Sequence, residues 1–506
     1  MSCCAPRPGR CSPAEALAAI ERFLNASRQP ILLEPGEDHF ALEPGSYLVD
    51  SDHGRLTLQV WDRRRNLVRR VIGVEAERPG KLELLIEKFP RREGRLLLID
   101  MARPALAGAP LKGRRLSFRE RVRRMLHRQF PDWKIAELTT EQDLEHSLSP
   151  LYPRALLRQG RTGLAVIAAP PDGTDVPGAL SFGLIWLDYL RSRERRLSIG
   201  GLALFLPQGS ERNTCLRLRF LDPRAARMLP FVYSAEDFAA PVDIADYGNT
   251  GTRLEPFRDA ARSLAEPVLQ WVERLARVPH VEQLARPGGA VSLRVRGLEF
   301  ARAERNQLHF GVTESTRAGE SDLARIERLA LELARMRSPE ASDRENPLYR
   351  MHVECWLESQ IRRHLEDIEP SLLPSPVYGQ VPALAAGERG VLDLLAVERS
   401  GRLAVLEVKA SQDLHLPLQA LDYWLRVKWH LERNEFKTRG YFPGIELAAE
   451  PPRLLLIAPS LEFHPTTGTI LRYFSPAVPV ERIGLGVEWR RGLKVAFRQS
   501  GAARPV

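Results

Sequence analysis

The amino-acid sequence predicts a multidomain α/β protein, and three observations carry that reading. The chain has 506 residues, too many for one core when a domain takes about 100–200. Residues 31 to 110 alternate short apolar runs with turn residues, as a β-rich domain does. From Tyr349 onward the pattern changes to helix, three strands, helix and strand, which describes a mixed sheet flanked by helices. A hydrophobic fraction of 44% and a charged fraction of 27% are those of a globular chain. The longest apolar runs, such as Leu164 to Pro171 and Leu454 to Pro459, fall far short of the ~20 residues that span a bilayer. No apolar segment follows Arg7 and Arg10, so no secretory signal is expected and the cytoplasm is the expected location.

Five segments follow in order. Residues 1 to 30 read as a flexible terminus with a short helix; Cys3, Cys4 and Cys11 crowd it but lack a fourth metal ligand nearby. Residues 31 to 110 supply the strands Tyr47 to Val49, Leu56 to Trp61, Leu67 to Val74, Lys81 to Glu87 and Arg95 to Asp100. Their tips carry Arg63, Arg64, Arg65, Arg69 and Arg70, either a solvated loop face or a nucleic-acid contact. Residues 111 to 250 form an α/β segment whose first helix starts at a capping box, Ser117 with Glu120, and buries Phe118, Val122, Met125, Leu126 and Phe130. The window from Lys112 to Arg128 holds eight basic residues against one acid, Glu120. That density makes Arg119, Arg123 and Arg124 candidates for binding phosphate. Residues 251 to 345 read as a connecting region: a helix through Ala276, a hairpin pairing Val291–Phe300 with Gln307–Val312, and a helix from Asp322 to Arg337. The Pro- and charge-rich break at Ser338 to Pro347 leads into the last domain, 346 to 506.

The charge balance points the same way, within limits. The net charge is +10, and 66 of the 74 basic residues are arginine. A guanidinium suits phosphate, although a GC-rich genome raises arginine without any functional cause.

The chemistry concentrates in the last domain. Asp393 interrupts an apolar strand, Val391 to Glu398, and Glu407 and Lys409 lie two apart on the next strand, facing away from Leu406 and Val408. A buried carboxylate on each of two adjacent strands needs a partner, and a divalent cation supplies one. Asp393, Glu407 and the carbonyl of Val408 are the candidate ligands for Mg²⁺ or Mn²⁺. Lys409 beside them is placed to lower the pKa of an attacking water or to stabilise charge on phosphorus. The competing reading makes Glu407 and Lys409 an edge-strand ion pair and Asp393 a turn cap. On the helix that follows, Gln419 and Tyr423 lie one turn apart.

The ordered set Gly390, Asp393, Glu407, Lys409, Gln419 and Tyr423 resembles the GxxD, ExK and QxxxY elements of the PD-(D/E)xK nuclease superfamily in its RecB-like form. The resemblance covers roughly Tyr349 to Arg498 and implies a restriction-endonuclease-like core with metal-dependent phosphodiester cleavage. It casts Asp393 and Glu407 as metal ligands, Lys409 as the catalytic lysine and Glu358 on the preceding helix as a further metal-shell acid. Glu354 and His352 compete with Glu358 for that role. Gln419 and Tyr423 would position substrate or the lysine. Arg362, Arg363, Arg426 and Lys428 are expected along a nucleic-acid backbone.

A shift of 239 positions aligns Val122, Arg123, Arg124 and Leu126 with Ile361, Arg362, Arg363 and Leu365, and Leu164 to Val166 with Leu403 to Val405. With a five-residue step, Leu187, Asp188 and Tyr189 fall on Leu421, Asp422 and Tyr423. The α/β segment 111 to 250 then reads as a degenerate copy of the last domain, with Arg154, Ala168, Pro170 and Ile185 where Asp393, Glu407, Lys409 and Gln419 stand.

No GxxxxGK[ST], GxSxG, HExxH or paired CxxC occurs, so any ATP-driven helicase motor would act in trans from another polypeptide. The expectation is a Mg²⁺- or Mn²⁺-dependent deoxyribonuclease acting in repair, recombination or defence. A non-cutting nucleic-acid scaffold and an RNA-cleaving enzyme are its rivals. Exo- against endonuclease action, strand and sequence preference, and a homodimer against a monomer stay open.

Overall fold

The computed structural model describes residues 12–28, 30–34, 40–42, 45–52, 55–61, 66–88, 92–100, 104–171, 176–258, 263–385 and 388–501. Cys3, Cys4, Cys11 and Arg63 to Arg65 lie outside them, as do the side chains of Lys112 and Arg114. The chain divides into two compact units, Met1–Arg121 and Val122–Val506. No helix among the described residues is long and apolar enough to cross a membrane.

In the first unit, helix α1 (Pro13–Ala26) starts at a reciprocal capping box between Ser12 and Glu15. The strands are β1 (Pro30–Leu33), β2 (Phe40–Ala41), β3 (Tyr47–Asp52), β4 (Arg55–Trp61), β5 (Asn66–Arg78), β6 (Lys81–Lys88) and β7 (Arg92–Asp100). They form one antiparallel sheet in the order β2-β1-β7-β6-β5-β4-β3. Alternation buries Leu56, Leu58, Val60, Leu82, Leu84, Ile86, Leu96 and Leu98 against Ala16, Ala19, Ile20 and Phe23 of α1. On the strands, Arg69 and Arg70 pair with Glu34 and Glu87, which leaves less net charge at the tips than the sequence count implies.

Helix α2 (Pro104–Gln129) begins at Pro104, so Ser117 is interior to it and not its start; the run Pro104 to Lys112 extends the helix upstream. Its C-terminal half buries Val122, Met125 and Leu126. The second unit then holds β8 (Lys134–Thr139), β9 (Arg154–Gln159), β10 (Thr162–Ala168), α3 (Val176–Arg193), β11 (Ser198–Pro207), α4 (Arg212–Leu218), β12 (Arg227–Tyr233) and β13 (Ala239–Pro241). This six-stranded sheet runs β13-β12-β11-β10-β9-β8, with only β10–β11 and β11–β12 parallel.

The region 251 to 345 is more than a connection. It contains α5 (Glu266–Ala276), β14 (Val281–Ala285), β15 (Val291–Val295), β16 (Leu298–Glu304), β17 (Gln307–Phe310), β18 (Thr316–Arg317) and α6 (Leu323–Met336). The strands form an antiparallel meander over a core of their own, from Val268 and Leu275 through Phe300 to Ile326 and Leu333. Val291–Phe300, expected as one strand, is itself a hairpin, because Arg296 and Gly297 both take positive φ and turn the chain.

The last domain comprises α7 (Val353–Arg363), β19 (Tyr378–Ala385), β20 (Glu388–Val397), β21 (Leu403–Val408), α8 (Leu416–Glu432), β22 (Arg453–Pro459), α9 (Thr467–Leu471), β23 (Val480–Leu485) and β24 (Val495–Ser500). Its sheet runs β19 to β24 in chain order, with only β21–β22 and β22–β23 parallel. Strand for strand this is the order and direction of β8 to β13. The pairing corrects the 239-position alignment by one residue in one strand. Leu406 opposes Leu394 and Val166 opposes Ala155, which sets Arg154 at the place of Asp393. Val408 opposes Ile457 and Ala168 opposes Phe205, which sets Ile167 and Ala169, not Ala168 and Pro170, at the places of Glu407 and Lys409.

The two sheets share one hydrophobic core, with α3 and α8 inside it. Arg217 of α4 makes a bidentate pair with Asp422 of α8, at 2.8 and 2.7 Å. Arg472, just past α9, meets Asp188 of α3 at 3.5 Å. Arg217 is 5% exposed and Asp422 17%, so Arg217→Ala leaves a half-buried carboxylate without its partner and is expected to cost about 2–3 kcal/mol. Arg472 is 39% exposed, and its removal is expected to cost under about 1 kcal/mol. Urea denaturation midpoints of the two variants check the difference.

Candidate metal-dependent hydrolytic site

Strand β21 reads Leu-Ala-Val-Leu-Glu-Val and is buried throughout. Ala404, Leu406 and Val408 enter the core beneath α7, and Leu403 and Val405 enter the core beneath α8. Glu407 continues the second set and is 2% exposed. Asp393 stands across from it, one residue beyond the Leu394–Leu406 pair. The Val408 N–H donates to Asp393 Oδ2 at 2.9 Å. Lys409 Nζ lies 3.4 Å from Glu407 Oε1 and 3.7 Å from Glu354 Oε1 on α7.

The electrostatics are those of an incomplete charge set. Burial pushes the Asp393 carboxyl up to about 6, against the pull of the Val408 N–H and Lys409. Burial, and then Asp393 beside it, hold Glu407 well above the usual carboxylate range. Burial alone would lower Lys409, but Glu407, Glu354 and Asp393 outweigh it and raise the pKa, so the ammonium stays charged. Lys409 is therefore a fixed cation and not a proton acceptor. Glu407 Oε2 is buried and receives no hydrogen bond among the described residues. Tyr423 on α8 is raised by burial and then by Glu407 and Asp393, which keeps its hydroxyl protonated. Gln419 lies half-buried one turn before it.

The helix acids divide. Glu354 reaches the lysine. Glu358, 3% exposed, lies over Gly379 of β19, where a Cβ would stand 3.0 Å from its Oε1. His352 starts α7 at φ 49° and borders a pocket with Glu299, Arg302 and His309. Cys355, between the two acids, has its thiol raised by burial and then by Glu358. Gly297, in the β15–β16 turn at φ +78°, abuts this helix so closely that a Cβ would come 2.0 Å from the Cys355 carbonyl oxygen. Gly297→Ala is expected to push the turn off α7, costing at least about 2 kcal/mol and displacing Glu354. Thermal denaturation together with Mn²⁺ affinity checks it.

Several arginines expected along a nucleic-acid backbone are instead occupied within the fold. Arg362 and Arg363 both pair with Glu282 of β14, which also accepts from Ser359. Arg124 pairs with Asp237 at 2.6 Å, Arg119 with Glu120 at 3.0 Å and Lys428 with Glu432. Arg426 is 6% exposed, lies over the Tyr423 ring at 5.9 Å and borders a small apolar cavity with Val427 and His430. Arg123 is half-buried on α2. Glu282 is the residue sequence reasoning missed; it acts from another sheet, and no local spacing marks it.

Among the described residues, no group of three or more His, Cys, Asp or Glu side chains is arranged to hold a metal ion. Two carboxylates with a buried, unbonded oxygen do fit a hard cation that keeps most of its water, as Mg²⁺ does. No protein-family model matches the chain, and no curated protein matches it in sequence.

Proposed function

We propose that the last domain is a Mg²⁺- or Mn²⁺-dependent deoxyribonuclease of the PD-(D/E)xK type, acting in DNA repair, recombination or defence. The observation that carries this reading is the buried Glu407 carboxyl facing the half-buried Asp393, with the Lys409 ammonium beside it and one acceptor oxygen, Glu407 Oε2, without a hydrogen bond. A bare pair of that kind destabilises a fold unless a cation completes it.

Asp393, Glu407 and the Val408 carbonyl would hold the ion. When bound, it supplies charge for the phosphate oxygens and acidifies a water. The rest falls to this chain. Glu354 anchors the Lys409 ammonium, which faces the charge developing on phosphorus. The Tyr423 hydroxyl, protonated at neutral pH, donates toward an acceptor oxygen of the substrate. The attacking water loses a proton to solvent as its oxygen bonds to phosphorus, the opposite P–O ester bond breaks and the leaving sugar oxygen takes up a proton from solvent. Sheet pairing on both sides of β21 fixes the carboxylates before substrate arrives.

The test is cleavage of labelled linear and circular DNA, single- and double-stranded, with Mg²⁺, Mn²⁺ or EDTA, by the full chain and by Lys409→Ala. Metal-dependent cutting that falls roughly 10²–10³-fold in the variant is the expected result. DNA retention without cutting under either metal would overturn the proposal in favour of a non-cutting scaffold.

A further inference from the structure

The two sheets of the second unit meet through contacts that are reciprocal. The α4 segment of one lobe gives Arg217 to Asp422 on α8 of the other, and the α9 segment of that lobe gives Arg472 to Asp188 on α3 of the first. These ion pairs join matching elements but not matching positions: Asp188 is the 13th residue of α3 and Asp422 the seventh of α8, and Arg217 lies inside α4 whereas Arg472 follows α9. The exits from the short helices do touch position for position. Asp222 N donates to Tyr473 O at 2.8 Å, and Ser475 N donates to Phe220 O at 2.8 Å, around an antiparallel bridge between Leu221 and Phe474. A contact in which i meets j and the counterpart of j meets the counterpart of i is the mark of a two-fold interface. Here it lies within one chain, between lobes of one strand order.

The lobes differ where chemistry is expected. Lys409 N and Ala169 N leave their strands by the same bond, to Ile457 O and Phe205 O at 3.0 and 2.9 Å, so the comparison is position for position. Ile167 replaces Glu407 and Ala169 replaces Lys409. Arg154 replaces Asp393; its guanidinium donates to Glu141 O at 2.6 Å and lies over the Trp186 ring at 5.4 Å. A guanidinium lodged there repels the ion that Asp393 would attract. One lobe can hold a divalent cation and the other holds a fixed positive charge.

We propose that residues 122–506 contain a fused dimer of one nuclease fold with a single hydrolytic centre, and that the protein therefore cuts one strand of duplex DNA per engagement. This rests on the nuclease reading above. A two-fold nuclease matches the dyad of a duplex and presents a centre to each strand. With one centre silent, the opposite strand meets no carboxylate pair and stays intact.

The experiment is a time course of supercoiled plasmid with the full chain and Mn²⁺, alongside sedimentation of the chain and Mn²⁺ titration by calorimetry. The expected result is a monomer binding one set of Mn²⁺ ions, lost in Asp393→Asn. The open-circular form should accumulate at least tenfold faster than linear DNA. Linear product formed from the start at the rate at which supercoiled DNA disappears would overturn the inference while leaving the nuclease reading in place. Cutting confined to single strands would overturn it likewise. No cutting of any DNA, with no Mn²⁺ bound, would remove both.

Discussion

Glu407→Gln is expected to make the metal-free protein more stable and to abolish its metal-dependent cutting. Glu407 is 2% exposed, faces Asp393 and leaves Oε2 without a hydrogen bond. Its ionised form is costly there until a cation arrives, which is why burial and Asp393 hold the carboxyl well above the usual range. A neutral amide of the same shape removes that charge and keeps an oxygen for Lys409. The gain at pH 7 in EDTA should be about 1–3 kcal/mol, the usual penalty of a buried polar group without its partner. Loss of a ligand should lower the cleavage rate by roughly 10³ or more. Urea denaturation in EDTA reads the first effect and plasmid cleavage in Mn²⁺ the second. A variant that loses stability in EDTA and still cuts would remove Glu407 from the site. The opposite signs matter, because a residue kept only for packing has no reason to weaken the fold it sits in.

Raising the pH from about 4 to about 6.5 should destabilise the metal-free protein, and Mn²⁺ should reverse that loss. Asp393 carries a folded pKa of about 6 against 3.8 in the unfolded chain. Its folded value is raised, so the folded state holds the proton more tightly. The resulting stability is complete below pH 4 and is lost as the pH climbs through 6. Glu407, also raised by burial and then by Asp393, adds to the decline. For Asp393 the loss amounts to about 3 kcal/mol, since each tenfold difference in proton affinity between the folded and unfolded chain is worth about 1.4 kcal/mol. Glu369 works in the opposite direction. Its carboxyl is buried and held down to about 2 by Ser371 and Arg453, so its contribution is present above pH 4 and disappears as the pH falls toward 2. Taken by themselves, these groups favour the folded state most near about pH 4. Because protons compete with the cation for the same oxygens, Mn²⁺ affinity should strengthen as the pH passes 6. Denaturation midpoints at pH 4.5 and 7, in EDTA and in Mn²⁺, for the wild type and Asp393→Asn, check both effects. A wild-type profile that rises from pH 4.5 to 7 in EDTA, or one that Asp393→Asn leaves unchanged, would contradict them.

What the sequence made readable was local. Alternation within β3 to β7 located the strands of the first unit, because a half-buried strand writes its period into its own residues. The spacing of Asp393, Glu407, Lys409 and Tyr423 was readable for the same reason, since each stands on an element with a clear period. Relations between elements were not readable. The pairing of Arg362 and Arg363 with Glu282, about 80 residues away in sequence and on another sheet, was one of these. The true start of α2 at Pro104 was hidden by a capping box that local spacing supports and the continuous helix overrides. The hairpin at Arg296 and Gly297 was missed because its flanks, Val291–Val295 and Leu298–Phe300, join into one apolar run with no obvious break. The alignment of β10 with β21 slipped by one residue, and in a strand one residue exchanges the two faces. Only hydrogen-bond pairing resolves that.

The reciprocal contact between the two six-stranded sheets has a consequence for how the protein behaves on dilution. An interface between separate subunits is populated according to their concentration, and it empties once that falls below the dissociation constant. Here Arg217 and Asp422 belong to one covalent chain, so each lobe meets the other at an effective concentration of order millimolar, whatever the bulk concentration. Activity per molecule should stay constant from micromolar to picomolar protein, and scarce copies in a cell would be as fully assembled as concentrated ones in a tube.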